Sequence, residues 1–471
     1  MDAQSLSRFR ETFTGEVIIP GSERYESARR VWNGMIDRRP AIIARCADGA
    51  AVARAIAFAR EQALPIAVRG GAHNVAGNAT IDGGIVIDLS GMKSIAVDAT
   101  ARRAVAAPGL TWGEFDSATA VHGLATTGGL VSTTGIAGFT LGGGIGWLMR
   151  AHGLTCDNVL SAEMITADNL LSAEVVLADG SVVRASKDEN PELFWGIRGG
   201  GGNFGIVTRF AYRLYPVSTV IGGLTLHPAS QARDALRFFR DLTASAPDEL
   251  TTLFAFLTAP PAPFVPAELQ GKPAVAIVAC YAGDASDGEA AVQPIKRFDP
   301  AGVDLIGPMP YTALQSMLDA SAPAGCMNYW KSSYLDQLTD AAIDTIVEHA
   351  AAMGAPLAQV HVHHMGGAVA RVPADATAFA HRSSAYAVNI VATWIDRADD
   401  DRYVGWARAF SDALQPHANG GVYVNFLGEE GEARVRAAYG DRTYARLRRV
   451  KAQYDPENVF RMNQNIAPAT A

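Results

Sequence analysis

Cysteine is scarce in this sequence. Only Cys46, Cys156, Cys280 and Cys326 occur among 471 residues. Four scattered cysteines do not form a disulfide framework, so a reducing, cytoplasmic location is the expectation. Basic residues are not in excess either, because 40 Lys and Arg stand against 48 Asp and Glu, a net charge of −8. Without a basic stripe, the sequence argues against binding to a nucleic-acid backbone.

Long apolar runs are also missing. No stretch reaches the about 18 apolar residues that a membrane-spanning helix needs, and the N-terminus lacks the apolar core of a signal peptide. No G-x-S-x-G motif of a serine hydrolase occurs. The composition, 49% hydrophobic and 19% charged, is typical of a soluble globular protein. A chain of this length predicts two or three domains.

Glycine, by contrast, is abundant, with 46 residues. Nine glycines fall between Gly128 and Gly153, interleaved with Leu, Ile, Val, Phe and Trp. This mixture excludes a flexible linker and indicates backbone that lies close around a ligand. The stretch "RGGAHNVAG" at 69–77 follows a predicted strand, and its consecutive N–H groups are suited to an anion such as phosphate.

A further glycine-rich stretch, "RGGGGNFG", contains a formal G-x-G-x-x-G at Gly200, Gly202 and Gly205. The dinucleotide fingerprint requires a helix after the glycines. Here "IVTRFAYRLYPV" follows, which predicts a strand. The sequence therefore does not indicate a nicotinamide-binding Rossmann site.

The order of predicted elements indicates an α+β protein. Residues 40–110 alternate strands with a helix that begins at the N-cap candidate Asp48, and Gly123 is the predicted end of a second helix. Pro216 is a predicted domain boundary. From there to about residue 420, helices and strands predict an antiparallel sheet with flanking helices.

Several residues could carry chemistry, and each has a structural alternative. His73 is either a ligand-binding residue or an ordinary loop histidine. In "HVHH", His361 and His363 share one face of a predicted strand, and a structural or substrate-facing strand is favoured over a metal site because no acidic or cysteine partner lies close in sequence. No metal is predicted. Cys156, in "GLTCDN", is either a packed residue or a nucleophile.

A near-repeat follows Cys156. Residues 157–167 read "DNVLSAEMITA" and residues 168–178 read "DNLLSAEVVLA". A single isolated pair of eleven residues is too short for a solenoid and is interpreted as a local insertion.

Taken in order, the motifs resemble the berberine-bridge-enzyme-like FAD-linked oxidases of the vanillyl-alcohol-oxidase superfamily. The matching pieces are "RGGAHNVAG", "GIAGFTLGGGIGW", "HGLTCDN", "ENPELFWGIRGGGGNFGIVT", "VYVNF" and "YDPENVFRMNQNI". The resemblance spans residues 38–467. It implies a PCMH-type FAD-binding domain at 1–216, a substrate domain at 217–420, and a C-terminal segment at 421–471 that returns to the FAD domain.

The resemblance also implies how FAD is held. His73 corresponds to the histidine that bonds to the 8α carbon of the flavin. Cys156 is assigned to the cysteine that forms a thioether at flavin C6, so a bicovalent FAD is expected. The residues implied to contact FAD are Arg69, Gly70, Gly71, Ala72, His73, Asn74, Thr134, Gly135, Gly138, Gly142, Gly143, Gly144, Cys156, Asp157, Val159, Gly205, Ile206, Val207, Asn463 and Asn465.

The stretch "GGVYVNFLG" predicts a last strand. For catalysis, the resemblance implies a base on this "YxN" strand, here Tyr423, because the strand on which some family members carry a glutamate reads "MGGAVARV" here, with Arg371 and no carboxylate. A phenol with an ordinary pKa of about 10 needs a nearby cation or donor to act at neutral pH, and Arg371 is the candidate cation. Val159 resembles oxygen-using members. The expected reaction removes the hydroxyl proton of a sugar or aromatic natural product, moves a hydride to flavin N5, and reduces O2 to H2O2.

Two other functions stay open at this point. One is a dehydrogenase on the same fold, which passes electrons to another carrier. The other is a non-catalytic flavin protein that binds a small molecule. No nucleic-acid or membrane partner is expected, and the sequence does not indicate an oligomeric state.

Overall fold

The computed structural model describes residues 3–165, 183–299 and 302–470. The α-helices, numbered in chain order, are α1 Ala3–Thr12, α2 Tyr25–Ala28, α3 Gly49–Glu61, α4 Trp112–Ala120, α5 Ile136–Leu141, α6 Met149–His152, α7 Pro191–Gly196, α8 Ala232–Thr243, α9 Ala285–Arg297, α10 Tyr311–Ser316, α11 Asp340–Ala351, α12 Ala368–Arg371, α13 Asp400–Leu414 and α14 Glu432–Tyr454. None of the helices in these ranges is long and apolar enough to cross a membrane.

The strands, in the same order, are β1 Gly15–Ile18, β2 Ile42–Cys46, β3 Ile66–Arg69, β4 Ile85–Asp88, β5 Ile95–Asp98, β6 Arg103–Ala106, β7 Leu124–Ala125, β8 Val159–Ile165, β9 Val183–Ser186, β10 Ile206–Arg213, β11 Tyr215–Pro216, β12 Thr219–Pro228, β13 Leu250–Thr258, β14 Pro273–Tyr281, β15 Val303–Asp304, β16 Gly307–Pro310, β17 Met327–Leu335, β18 Gln359–His364 and β19 Tyr386–Trp394. They form two larger sheets, one small sheet and one short pair.

The N-terminal sheet has the order β1-β2-β4-β3, with β2, β4 and β3 parallel. Helix α3 covers it and begins as the sequence predicts, with the Asp48 carboxylate accepting the N–H of Ala51. Val52, Ile56 and other apolar side chains of α3 pack on the strands. The carboxyl end of β3 runs directly into the glycines at 70 and 71, so the sheet presents that loop at its edge.

A second sheet, in the order β5-β6-β10-β8-β9, is antiparallel. The strand predicted after "RGGGGNFG" is confirmed as β10. Side chains of the C-terminal segment, including Leu427, Leu447 and Ile466, belong to the same apolar cluster as Phe210 of this sheet. The last part of the described chain therefore packs against the second sheet.

The largest sheet has eight antiparallel strands in the order β15-β12-β14-β13-β18-β19-β17, with β16 also pairing β12. One face packs on α8, α11 and α13, and the alternating residues Val360, Val362, Val388 and Ile390 lie in that core. Because side chains alternate along a strand, the residues between them point to the opposite face. The predicted antiparallel sheet with flanking helices is thus observed.

Two local predictions are wrong. The segment "GGVYVNFLG" does not form a strand but a loop with one 3-10 turn at Val424–Phe426. The segment containing Arg371 is the short helix α12 instead of a strand. The second copy of the eleven-residue repeat lies outside the described residues. Of the first copy, Val159–Ile165 forms β8.

Candidate FAD-binding and active site

A cavity of about 340 Å³ lies between the glycine-rich loops, the C-terminal segment and the free face of the large sheet. Its walls combine the loops at 70–74, 130–145 and 201–207 with residues of β17, β18 and β19. In the part of the chain that the structure describes, no Asp, Glu, Lys or Arg lines this cavity. Any anionic part of a ligand must therefore be held by backbone N–H groups and neutral side chains.

The loop after β3 is built to present such N–H groups. The backbone amides of residues 71–74 donate to no acceptor within the described part of the chain. Ala72 has φ = +57°, an unusual value for a residue with a side chain. Consecutive amides arranged in this way form a concavity for an anion. The loop thus fits the pyrophosphate of a dinucleotide.

Gly71 and Gly135 bring two loops into backbone contact. A Cβ on Gly71 would lie 2.4 Å from the Gly135 nitrogen, and a Cβ on Gly135 would lie 2.4 Å from the Gly71 nitrogen. No side chain other than hydrogen fits at either position. This close approach joins the loop after β3 to the segment leading into α5, and both line the cavity.

His73 lies in the cavity wall, where its ring stacks on Trp32 with a centroid distance of 4.7 Å. Its Nε2 is 3.1 Å from Thr133 Oγ1. Burial lowers the pKa of His73 to about 4, against a smaller opposing effect of Asp319. The imidazole is therefore neutral at pH 7 and keeps a lone pair with which it can react as a nucleophile. Its position fits the predicted flavin tether.

Another part of the cavity wall is stabilised by a buried ion pair. Lys451 and Asp455 are both 0% exposed and 2.6 Å apart. The Lys451 ammonium also donates to the carbonyls of Asn203 and Phe460, and both of these residues line the cavity. Burial lowers the pKa of Lys451, while Asp455 raises it. The pair joins the glycine loop before β10 to the C-terminal segment containing Asn463.

Replacing Lys451 with methionine is expected to lower the free energy of unfolding by about 3–5 kcal/mol, because the Asp455 charge would remain buried without its partner. Urea denaturation measures the change. The matched control is Lys93→Met, which breaks an ion pair with Glu114 whose side chains are 41% and 45% exposed. That pair contributes about 0–1 kcal/mol. Equal losses in the two variants would contradict the structural role of Lys451.

Cys156 does not line the cavity. Its side chain is 0% exposed and belongs to an apolar cluster with Leu154 and Met365. Burial raises the pKa of the thiol, so it stays protonated and unreactive at neutral pH. Cys156 shares its apolar cluster with Ile145 and Tyr423, which do line the cavity, so the thiol lies directly behind that wall. The second flavin link stays a prediction.

Asp157 also lies outside the cavity. Its carboxylate pairs with Arg382 at 2.6 Å and accepts the N–H of Leu154, which closes the 3-10 turn Thr155–Asn158. The pair is nearly fully buried, with 7% and 3% of the side chains exposed. The segment "CDN" therefore anchors the chain between α6 and β8.

Tyr423 is the polar group at the base of the cavity. Its hydroxyl oxygen accepts the N–H of Gly144 at 2.8 Å, the Nδ2–H of Asn425 at 2.8 Å, and the N–H of Ile145 at 3.3 Å. Burial raises the pKa of the phenol, and these donors act in the opposite direction. Within the described residues the hydroxyl proton has no acceptor, and Tyr423 lines the cavity.

Arg371 does not contact Tyr423. It lies on α12 with 60% of its side chain exposed and forms an ion pair with Asp248. The prediction that it supplies the cation beside the phenol is wrong. The hydrogen-bond donors at Tyr423 are backbone and amide N–H groups instead.

Most of the other predicted contacts do line the cavity. They are Gly70, Gly71, Ala72, Asn74, Thr134, Gly135, Gly138, Gly142, Gly205, Ile206, Val207 and Asn463. The remaining predicted residues do not, namely Arg69, Gly143, Gly144, Val159 and Asn465. The Arg69 side chain donates to the carbonyls of Ala28, Arg29 and Ala79 and so braces the loop from behind.

The sheet contributes wall residues that the sequence did not assign to the site. Trp330 on β17, Gln359 on β18 and Asn389 on β19 lie there beside His361 and His363. Only the alternation in "HVHH" pointed to this face beforehand. Among the described residues no group of three or more His, Cys, Asp and Glu could hold a metal ion.

Comparison with known proteins agrees with this geometry. A model of FAD binding domains matches residues 40–169, and one described as "Berberine and berberine like" matches 422–467. An FAD-linked oxidoreductase of Dictyostelium discoideum is 30% identical over 470 residues, covering 99% of this chain and 97% of that protein. The (R)-6-hydroxynicotine oxidase of Paenarthrobacter nicotinovorans is 31% identical over 471 residues, covering 96% and 97%.

A crystal structure of 6-hydroxy-D-nicotine oxidase from Arthrobacter nicotinovorans superposes with a TM-score of 0.85 at 29% identity, covering 97% of this chain and 99% of that one. The predicted α+β fold with a PCMH-type FAD-binding part is thereby confirmed. In the part of the chain that the structure describes, the amides without acceptors in the loop after β3, the neutral His73 and a wall without charged side chains all fit FAD. The chain is an FAD-linked oxidoreductase that belongs to the berberine-bridge-enzyme-like family.

Proposed function

We propose that this protein is an FAD-dependent oxidase that removes two hydrogens from an alcohol, or from a similarly activated C–H bond, of a small organic molecule and reduces O2 to H2O2. One observation carries the proposal: His73, the loop after β3 and Tyr423 all line one cavity. When bound there, FAD supplies a hydride acceptor at N5 and transfers the electrons to O2. The name of the nicotine oxidase relative supports an oxidase.

The residues divide the task of holding the cofactor. The amides of residues 71–74 would bind the pyrophosphate, and Asn463, whose side-chain oxygen has no partner among the described residues, would bind a polar group of the cofactor. The Gly71–Gly135 contact fixes the distance between the two loops. Because no Asp, Glu, Lys or Arg is among the described residues that line the cavity, the flavin ring would lie in a neutral environment.

His73 is proposed as the single covalent link to FAD, through the flavin 8α carbon. Its neutral ring can provide the nucleophilic nitrogen. Such a link would replace one imidazole N–H of His73 and one methyl C–H of the flavin with an N–C bond, and O2 would accept the two hydrogens as H2O2. Cys156 is proposed as a packing residue, because its protonated thiol lies behind the wall.

Tyr423 is proposed to take the substrate hydroxyl proton. In the ionised form its oxygen would be held by the three N–H donors, which favour a phenolate over a phenol. Because these donors are fixed by the backbone and by Asn425, they need no rearrangement when charge develops.

His73→Ala is expected to release all flavin when the protein is denatured with acid, whereas the wild type and Cys156→Ser keep it with the precipitate. Flavin fluorescence of the denatured band measures this directly. The Cys156 variant is the matched control, since it removes the other candidate tether. Loss of bound flavin in Cys156→Ser, or retention in His73→Ala, would overturn the assignment. Peroxide yield per substrate then separates an oxidase from a dehydrogenase that reduces only a dye.

A further inference from the structure

We propose that His361, His363 and Asn389 form a recognition site for uncharged aromatic substrates that carry one hydrogen-bonding substituent. This inference rests on the proposed function, because it concerns the substrate side of the same cavity. It decides between the two substrate classes that the sequence left open, in favour of aromatic molecules over sugars.

The three residues come from two neighbouring strands. His361 on β18 lies directly opposite Asn389 on β19, so their side chains stand on one face of the sheet, within a few ångströms. His363 is two residues further along β18 and shares that face. All three line the cavity. The intervening Val362 and Val388 point to the core on the other side.

Two of these side chains have unmet hydrogen-bonding capacity. His363 Nε2 and Asn389 Oδ1 are buried and have no partner among the described residues, and each residue is only 2% exposed. Native proteins rarely leave such atoms unpaired, since each costs free energy. Asn389 Oδ1 can only accept a hydrogen bond. A ligand with an O–H or N–H donor would satisfy it.

The tautomer of His361 is set by its neighbour. Gln359 donates its Nε2–H to the carbonyl of Ser321, so its Oε1 is the acceptor for His361 Nε2 at 2.7 Å. His361 therefore carries its proton on Nε2 and leaves Nδ1 as a second acceptor. The site thus offers fixed acceptors on a neutral surface.

Among the described residues, those that line the cavity carry no charge that could compensate a charged substrate. The titratable side chains that line the cavity are His73, His361, His363, Tyr423 and Tyr439, and burial favours the neutral form of each. On the adjoining strand β13, Leu253 lies opposite His363 and Ala255 lies opposite His361, so both neighbours are apolar. Burying an unpaired carboxylate or ammonium here would be costly.

Aromatic and aliphatic side chains form much of the wall around these three residues. Phe426 lies 5.7 Å from the His363 ring and 5.7 Å from the Trp330 ring, measured between centroids. Val391 and Leu318 complete the surface. An aromatic ring would pack on these side chains, whereas a sugar would place several hydroxyls against their apolar atoms.

The test uses the holoenzyme and difference spectra of its flavin. The probes are benzyl alcohols with a para hydroxyl, carboxamide, carboxylate or aminomethyl group, together with unsubstituted benzyl alcohol and cellobiose. We expect the hydroxyl and carboxamide probes to bind at least tenfold more tightly than the carboxylate, the aminomethyl and cellobiose. Between pH 6 and 8 their Kd should not change, because His361 and His363 stay neutral. Tightest binding of cellobiose or of a charged probe, or no spectral change with any aromatic probe, would overturn the inference.

Variants assign the selectivity to the site. Asn389→Leu and His363→Leu should each weaken binding of the hydroxyl probe by about tenfold, the effect of one hydrogen bond. Both variants should bind benzyl alcohol with unchanged affinity. The control is His364→Leu on the same strand, whose ring lies outside the cavity near Thr252, and it should bind as the wild type does. Equally weakened binding of the hydroxyl probe and of benzyl alcohol would contradict the assignment of these residues to the recognition site. Reduction of the flavin by cellobiose would contradict the recognition site alone, whereas absence of flavin from the protein would contradict the proposed function.

Discussion

Replacing Gly71 with alanine is expected to yield a protein without bound flavin. The added Cβ would lie 2.4 Å from the Gly135 nitrogen and 2.6 Å from its Cα. Both are backbone atoms, so no change of rotamer relieves the overlap, and the two loops must move apart. That movement displaces the amides of residues 71–74 and the His73 ring from the other walls. FAD then loses its pyrophosphate site and its tether together.

The ratio of flavin absorbance to protein absorbance in the purified variant measures this loss. Gly405→Ala is the matched control, because a Cβ on Gly405 meets nothing within 4 Å and the residue lies on α13, away from the cavity. It should contain as much flavin as the wild type. A yellow Gly71→Ala protein with full flavin content would show that the loops are not held at this distance.

The glycine-rich part of the site could be predicted from the sequence because its information is local. The glycines after β3 and before α5 predict where the backbone approaches another segment or a ligand. The structure has close backbone contacts at these positions. The same holds for Asp48, whose capping role depends on the next three residues only. The glycine pattern does not predict which two glycines contact each other. In the structure these are Gly71 and Gly135.

The position of the Cys156 side chain depends on contacts that the local sequence does not determine. The text "GLTCDN" marks a residue type, but the direction of the Cys156 side chain depends on the 3-10 turn and on the Asp157–Arg382 pair, which joins residues 225 positions apart. The same limit explains Arg371. The family resemblance placed it beside Tyr423, whereas its position on α12 brings it to Asp248 at the surface.

The segment around Tyr423 reads as a strand because Val422, Tyr423 and Val424 are all strand formers. In the structure its polar groups are satisfied differently, since the Tyr423 hydroxyl accepts the amides of Gly144 and Ile145 from across the fold. Tertiary contacts therefore override the local preference at a functional position. Of the wall residues Trp330, His361 and Asn389, the sequence indicated only His361, because which face of the sheet lines the cavity is a property of the whole fold.

The Tyr423 hydroxyl provides the second large effect. Tyr423→Phe is expected to lower kcat/KM by about 10²- to 10⁴-fold, the usual contribution of a positioned proton acceptor. The variant also leaves the Gly144 N–H and the Asn425 amide without their acceptor, so some loss of stability accompanies the change. Tyr334→Phe is the matched control, because the buried Tyr334 hydroxyl has no hydrogen-bond partner in the described structure and does not line the cavity.

The pH profile separates a catalytic role of Tyr423 from a structural one. Burial raises the pKa of this phenol, so the ionised fraction is small at pH 7 and increases about tenfold with each pH unit. If the ionised oxygen takes the substrate proton, kcat/KM of the wild type and of Tyr334→Phe should rise with pH from 7 to 10. In Tyr423→Phe that rise should vanish, since phenylalanine has nothing to ionise. A variant that is slower but keeps the same rise would assign the proton to another group and leave Tyr423 as a residue that only positions Gly144 and Asn425.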